Sequence, residues 1–318
     1  LFSNNPAREN LPKEKYEEMA GSFRQYMKAK LLLINTELHN WGDINNFNFT
    51  DCIQENARLI DTIESDETSH ILELLLSMIR DNHVPAFMEL KDILLGGRLV
   101  PATRMFLIIG RYMQRVSMRL WSKGLIIDQK IMHDLLDFGM KSGIYFTNDR
   151  LPSAVFHNVV VQQCLISDYE ETVKFIEKWM PSVVTEDTEA TQALAMAQCC
   201  FYHHRYPEIH LYTGRHVFPT FNQKNLAQGL HLIAAFENRD CERHIYETAL
   251  TSSQNFLKRN QLRMSKHLFD SYKNLITFIK AVDNNNERIP NPELISPLLY
   301  RKWCMELYQV LANRVSGN

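Results

Sequence analysis

The sequence is poor in the two residues that most often interrupt helices. Its 318 residues include 11 glycines and 11 prolines, too few for an all-β sandwich with its many turns. No apolar run approaches the ~18 residues of a membrane-spanning helix, and the first ten residues, LFSNNPAREN, lack the basic-then-apolar order of a signal peptide. The composition therefore favours a helical protein that is not inserted in a membrane.

An excess of charge of either sign is also lacking. The chain has 35 Lys and Arg residues against 37 Asp and Glu residues, and its formal net charge is −2. This balance gives no general attraction to nucleic acid or to an anionic membrane. The six cysteines lack the spacing of a small disulfide-bonded domain, which predicts a reduced, cytoplasmic protein.

Motifs of common catalytic sites are absent as well. Gly96 and Gly97 are followed by Arg98, without the Lys and Ser/Thr of a phosphate-binding loop, and neither HExxH nor GxSxG occurs. We therefore predict no enzymatic activity and no cofactor. A Ser/Cys, His and Asp set assembled from distant positions stays open as an alternative.

Apolar residues recur at spacings of three and four almost throughout the chain, which is the period of amphipathic helices. The pattern predicts fourteen helices, near 12–39, 51–64, 68–81, 84–95, 102–122, 127–141, 153–166, 168–179, 188–203, 206–215, 222–237, 240–258, 262–282 and 292–313. Short connections between consecutive helices predict antiparallel pairs.

Local signals refine several of these boundaries. Ser167 to Glu170 reads as a capping box, and Asn291-Pro292 reads as an N-cap followed by proline in the first turn. The polar stretches 40–49 and 283–290 are the clearest predicted loops. The last predicted helix would cap the C-terminal end, with Trp303, Leu307 and Val310 among its inward residues.

Three helix-turn-helix segments look alike: QQCLISDYEETVKFI, CCFYHHRYPEIHLYT and AAFENRDCERHIYET. Equivalent positions are 35 to 37 residues apart, close to the ~34-residue period of tetratricopeptide repeats. The segments from about 99 to 282 resemble that family, and in particular a bacterial family of tetratricopeptide-like helical proteins. The resemblance implies an all-α, right-handed antiparallel helix-hairpin solenoid, and it implies no catalytic residue.

This architecture predicts three parts of the chain. Residues 1–98 form an N-terminal helical segment, in which irregular repeats are possible. Residues 99–282 hold the tetratricopeptide-like repeats, and residues 283–318 form a C-terminal capping helix. The start at Leu1 leaves open that the chain is a fragment of a longer protein.

The stretch CCFYHHRYPEIH (199–210) raises the question of a zinc site, because Cys199/His203 and Cys200/His204 are each four residues apart. Adjacent residues point ~100° apart on a helix, so only one pair could bind an ion, with a distant ligand such as His210 or His216. We interpret the stretch as an ordinary helix end with buried cysteines and predict no metal.

Binding residues are expected on the first helices of the pairs, because these helices line the concave side of such a solenoid. The candidates are His157, Gln198, Tyr202, Gln228 and His231. Arg104, Arg111, Arg115 and Arg119 form a basic stripe on one predicted helix, which suits carboxylates if it is more than a solvated face.

These features predict a non-enzymatic protein-interaction scaffold that binds a peptide or protein partner on its concave face, and not nucleic acid. The alternatives are an enzyme with its site in a helical cleft and the ligand-sensing part of a regulator. The partner's identity and the oligomeric state stay open.

Overall fold

The computed structural model describes residues 13–45, 48–125, 128–284 and 289–316, and this part of the chain is all-α. Its fourteen α-helices are α1 (Lys13–Asn45), α2 (Thr50–Ile60), α3 (Glu67–Asp81), α4 (Val84–Leu95), α5 (Arg104–Ser122), α6 (Gln129–Lys141), α7 (Ser153–Ile166), α8 (Tyr169–Trp179), α9 (Thr188–Tyr202), α10 (Tyr206–Thr213), α11 (Phe221–Glu237), α12 (Arg243–Asn260), α13 (Lys266–Asp283) and α14 (Arg301–Ser316). The predicted number and order of helices are confirmed.

The chain divides into two compact units, Leu1–Val116 and Ser117–Asn318. In the first unit α1 packs against α2 and α3, and α3 packs against α4. Leu75, Met78 and Phe87 are fully buried there. The predicted divisions after residues 98 and 282 separate the tetratricopeptide-like repeats from the rest of the chain. They stay predictions.

In the second unit the helices from α6 to α13 pack mainly against their neighbours in sequence. Contacts join α6 to α7, α7 to α8, α8 to α9, α9 to α10, α10 to α11, α11 to α12 and α12 to α13. The alternate helices α7, α9 and α11 also contact one another in order. A core formed by residues of α9 to α14 contains large rings with no exposed surface, among them Phe236, Tyr246, Tyr272 and Phe278.

One short piece of parallel sheet occurs in the described residues, and helical periodicity could not predict it. Strand β1 (Leu151–Pro152) pairs with β2 (Val183–Val184), Leu151 opposite Val183. This pair of strands joins the start of α7 to the turn that follows α8. A two-residue strand is shorter than the period-2 pattern that reveals strands in sequences.

Several predicted helix boundaries are wrong by a few residues, among them the end of α2 at Ile60 and the start of α13 at Lys266, and three errors have a local explanation. The N-cap of α8 is Asp168, whose carboxylate accepts from Glu171 N at 2.8 Å, and Ser167 instead accepts from Gln163 Nε2. The last helix begins at Arg301, because Asn291 Oδ1 accepts from Glu293 N within a turn that does not continue as a helix. Helix α1 extends to Asn45 through the predicted loop 40–49.

The α1 extension has a tertiary cause that sequence propensity does not contain. Asn40 lies inside the helix, and its Oδ1 accepts from Arg115 Nη1 at 2.7 Å. Such a contact outweighs the weak preference of asparagine for turns. In α14, Trp303 is buried as predicted, whereas Val310 is half-exposed and does not face inward.

Candidate binding groove

A groove of about 920 Å³ runs along α12 in the second unit. Phe221, the first residue of α11, and Phe256 of α12 stack in it, with ring centroids 6.2 Å apart and an interplanar angle of 10°. The other lining residues come from the segment before α11, from α11 and α12, and from the 3-10 turn Gln261–Arg263; they are Pro219, Lys224, Gln228, His244, Glu247, Thr248, Thr251, Ser252, Asn255, Arg259, Asn260 and Arg263.

The sequence builds this surface by dividing α12 into two faces. Tyr246, Ala249 and Leu257 are buried against the core, while the groove residues His244, Thr248, Thr251, Asn255 and Arg259 recur at spacings of three and four on another face. This spacing places them along one stripe of the helix. The groove is therefore the polar side of an amphipathic helix.

A capping box fixes the start of α11 and with it the position of Phe221. Thr220 Oγ1 accepts from Gln223 N at 3.2 Å, and Gln223 Oε1 accepts from Thr220 N at 3.3 Å. These two bonds satisfy backbone donors that a helix start would otherwise leave free. The aromatic part of the groove is thus held by a rigid helix end.

The groove has an excess of positive charge. Lys224, Arg259 and Arg263 are exposed and form no ion pair with any described residue. The guanidinium of Arg263 lies over the Phe221 ring, 5.4 Å from its centroid. The one carboxylate in the lining, Glu247, accepts from Arg243 Nε at 3.1 Å. Cations without a partner beside an aromatic surface suit a carboxylate ligand.

Several neutral polar groups of the groove are also available to a ligand. The exposed side chains of Thr251, Ser252 and Asn255 make no hydrogen bond within the described ranges of the chain. Gln228 donates from Nε2 to Ser253 Oγ at 2.9 Å, which keeps its own Oε1 as an acceptor. Hydroxyls and amides of this kind can bond the main chain of an extended peptide.

The structure places the five residues predicted for the first helices in four different surroundings. Gln228 lines the groove. Tyr202 is partly buried and lines a separate pocket of about 270 Å³ beside Tyr206 and Trp303. His231, one turn after Gln228, faces α10 instead of α12. These residues do not form one continuous surface.

The two other predicted residues, His157 and Gln198, are buried and bonded to each other. His157 Nδ1 lies 2.8 Å from Gln198 Oε1. Because the amide oxygen can only accept, His157 donates from Nδ1. In the neutral ring its Nε2 therefore carries no proton. Burial lowers the pKa of His157, and the bond to Gln198 opposes this shift. That His157 and Gln198 contact a partner stays a prediction, and the burial of both side chains does not support it.

The predicted arginine stripe lies on α5. Arg104 is exposed and lines a cavity of about 500 Å³ with Leu33, Ile34 and Phe49 among its neighbours. Arg115 donates to Asn40, and its guanidinium lies 5.7 Å from the centroid of Tyr112.

The other two arginines of α5 differ in exposure. Arg111 is exposed, whereas Arg119 belongs to the second unit and is partly buried. A role of the stripe in partner binding stays a prediction.

His231 and His210 form a histidine pair between α10 and α11. Their Nδ1 atoms are 3.3 Å apart, and Thr213 Oγ1 lies 3.2 Å from His231 Nδ1. The Thr213 hydroxyl donates to Ile209 O, so His231 Nδ1 carries the proton and donates. Burial and the neighbouring His210 lower the pKa of His231 to about 4. The pair is therefore neutral at physiological pH.

The stretch 199–210 is arranged partly as expected. Cys200 and His204 diverge from the other pair: His204 Nδ1 bonds the Tyr206 hydroxyl at 2.9 Å. Cys199 and His203, however, meet Cys164 of α7, so that the three potential ligand atoms all lie within 4.8 Å of one another. The third group, Cys164, precedes Cys199 by 35 positions. It takes the place that the sequence suggested for His210 or His216.

The groove itself was missed by the sequence reasoning. Most of its lining comes from α12, the second helix of its pair, whereas the prediction placed binding on the first helices. The signal that was present is the run TSSQNFLKRNQLR (251–263), which brings three basic residues to a helix end rich in amides and hydroxyls. The stacking of Phe221 on Phe256 joins residues 35 positions apart and has no local signal.

Comparison of the chain with models of protein families, with curated proteins and with solved structures finds no match. The resemblance to tetratricopeptide repeats therefore stays a prediction that depends on the residues alone. None of the helices in the described ranges combines the length and hydropathy of a membrane span.

Proposed function

We propose that this protein is a non-enzymatic protein-interaction scaffold whose groove along α12 binds an extended, acidic segment of a partner protein. The observation that carries this proposal is the set of three cations, Lys224, Arg259 and Arg263, that have no ion-pair partner in the described residues and that flank the Phe221–Phe256 stack. Carboxylates of a partner would neutralise these cations, and an apolar side chain would cover the stacked rings.

We infer a tetratricopeptide-like, right-handed solenoid as the architecture of the second unit, and the order of helix contacts supports the stacking of helix pairs in it. Each helix from α7 to α12 contacts the next, and α7, α9 and α11 also contact each other. Stacked helix pairs have this pattern, because a single pair cannot cover its own apolar face. Arrays of this type present elongated surfaces to peptides, which fits an interaction role.

The alternative of an enzyme in a helical cleft receives less support. The histidines with lowered pKa values lie in contacts between helices and do not line the groove; they are His157, His203, His210 and His231. The groove is instead lined by exposed groups such as His244, Thr248 and Ser252, and catalytic sites generally combine a perturbed group with a cleft. A ligand-sensing role would use the same groove.

The proposal can be tested with a displayed library of random peptides selected on the purified chain. We expect enrichment of Asp and Glu next to an apolar or aromatic residue. A labelled peptide from the enriched set should bind more weakly as salt increases. The double variant Arg259→Gln and Arg263→Gln should lose at least about tenfold in affinity, which corresponds to about 1.4 kcal/mol.

The matched control is Lys258→Gln, because Lys258 is exposed, adjacent to Arg259 in sequence and outside the groove lining. It removes one positive charge from the same helix as the single variant Arg259→Gln, with which it is compared, and should leave peptide affinity unchanged. Selection without acidic enrichment, or an equal loss of affinity in the control, would reject the proposed groove.

A further inference from the structure

The geometry points to a metal site formed by Cys164, Cys199 and His203, which would bind Zn²⁺. The sulfur and ring nitrogen atoms of these residues all lie within 4.8 Å of one another. The site is separate from the groove along α12 and does not depend on the proposed function. Both cysteines are buried, and His203 is partly buried.

The fold brings the three groups together through two helix ends. Cys199 and His203 are one helical turn apart, and His203 ends α9 as its C-cap, with its backbone N–H donating to Cys199 O at 3.1 Å. Cys164 lies in the last turn of α7, which packs against α9. Ligands that belong to helices packed in a core are held more firmly than ligands on loops.

A buried hydroxyl lies beside the three ligands, and because zinc binds Cys, His and carboxylate groups it is an outer hydrogen-bond partner of the ligands and not a fourth ligand. Thr172 Oγ1 is 3.4 Å from His203 Nε2 and also contacts the Cys164 thiol. Its hydroxyl donates to Asp168 O at 2.8 Å, which leaves lone pairs on the oxygen free to accept. Thr172 is fully buried on α8. Three helices thus supply three ligands and one outer partner around one position.

The chemistry of this set favours zinc. Two thiolates and one neutral imidazole balance the charge of Zn²⁺, which prefers Cys and His ligands in a tetrahedral arrangement. Ligand atoms in such a site are ~3.6–3.8 Å apart, given Zn–S bonds of ~2.3 Å and Zn–N bonds of ~2.0 Å. Side-chain movements of about 1 Å would therefore complete the site. On binding, the two thiols would release two protons to solvent.

The test uses the full chain, reduced, with any histidine tag removed, and titrated with Co²⁺ and then with Zn²⁺. We expect one equivalent of Co²⁺ to produce thiolate-to-cobalt charge-transfer absorption and the intense visible bands of tetrahedral cobalt. Added Zn²⁺ should displace the cobalt, so that both absorptions disappear. Because the measurement is made on the unaltered protein, it does not depend on whether a variant folds.

Two pairs of variants then locate the ligands. Cys199→Ser and His203→Gln should lower Zn²⁺ affinity by more than about 100-fold, beyond the loss expected for an outer partner of a metal ligand. Cys200→Ser and His204→Gln make the same chemical changes at the neighbouring pair, which lies outside the cluster, and should leave affinity unchanged. A cobalt spectrum without the thiolate band, or equal losses in both pairs, would overturn the site.

Discussion

At the scale of single residues, burial and a few short contacts decide which polar side chains are free to act. His157, Gln198 and His231 carry the polar chemistry expected of a binding surface, yet each is engaged by another side chain between helices. Residue type alone could not reveal this. Whether a histidine on a helix faces solvent or a neighbouring helix depends on packing, which periodicity describes only approximately.

The histidine pair predicts a stability that depends on pH. The pKa of His231 is lowered to about 4 in the folded chain, below the ~6.5 of an unfolded chain. Between these two values the unfolded state binds more protons, so the free energy of unfolding should fall as pH decreases through this window. The loss is on the order of 3 kcal/mol, and denaturant titrations at pH 7 and pH 4.5 would measure it.

His231→Asn should reduce this pH dependence, because the asparagine Nδ2 can replace the Nδ1 donor and does not titrate. His267 is exposed in α13, and His267→Asn serves as the control that keeps the wild-type difference between the two pH values. If His231→Asn retains the full difference, the histidine pair is not its source.

At the scale of elements, the sequence contains most of the information. All fourteen helices follow from apolar spacing, because each must bury one stripe against a neighbour. Predicted helix ends are wrong where two neighbouring residues could each cap the helix, or where a side chain bonds a distant residue. Ser167 and Asp168 are both good capping residues, and only the coordinates show that the Asp168 carboxylate accepts from Glu171 N.

The cap of α8 can be tested by a pair of alanine substitutions. Asp168→Ala should lower the free energy of unfolding by about 1 kcal/mol, the usual contribution of an N-cap. Ser167→Ala removes only the bond from Gln163 Nε2 and should cost roughly half of that or less. Urea denaturation would compare the two variants. A larger loss of unfolding free energy in Ser167→Ala than in Asp168→Ala would show that Ser167, as expected from the sequence, is the N-cap.

At the scale of the whole chain, the C-terminal helix is joined to α11 by contacts that no sequence pattern indicates. Trp303 Nε1 donates to Glu237 at 2.7 Å, and Tyr300 donates to Leu226 O at 3.3 Å. Burial raises the pKa of Glu237. The role of the last helix as a cap stays a prediction, and the helix begins nine residues later than expected.

Gly229 of α11 lies directly under Tyr300, and a methyl group there would be 2.8 Å from the ring. Gly229→Ala should therefore displace α14 and cost ~1–3 kcal/mol, even though alanine is the better helix former. Hydrogen exchange should become faster in 301–316. Gly21→Ala, which meets no atom within 4 Å, is the control and should leave exchange in α14 unchanged. Unchanged exchange in Gly229→Ala would contradict the contact.

The distribution of charge along α12 also gives the groove a polarity. Glu247 lies near the start of this helix and Arg259 near its end, twelve residues or ~18 Å apart at ~1.5 Å per residue. An extended guest of five or six residues spans that length. A guest with its acidic residues at one end would place them beside Arg259 and Arg263, so that the position of those residues in its sequence sets the N-to-C direction in which it binds.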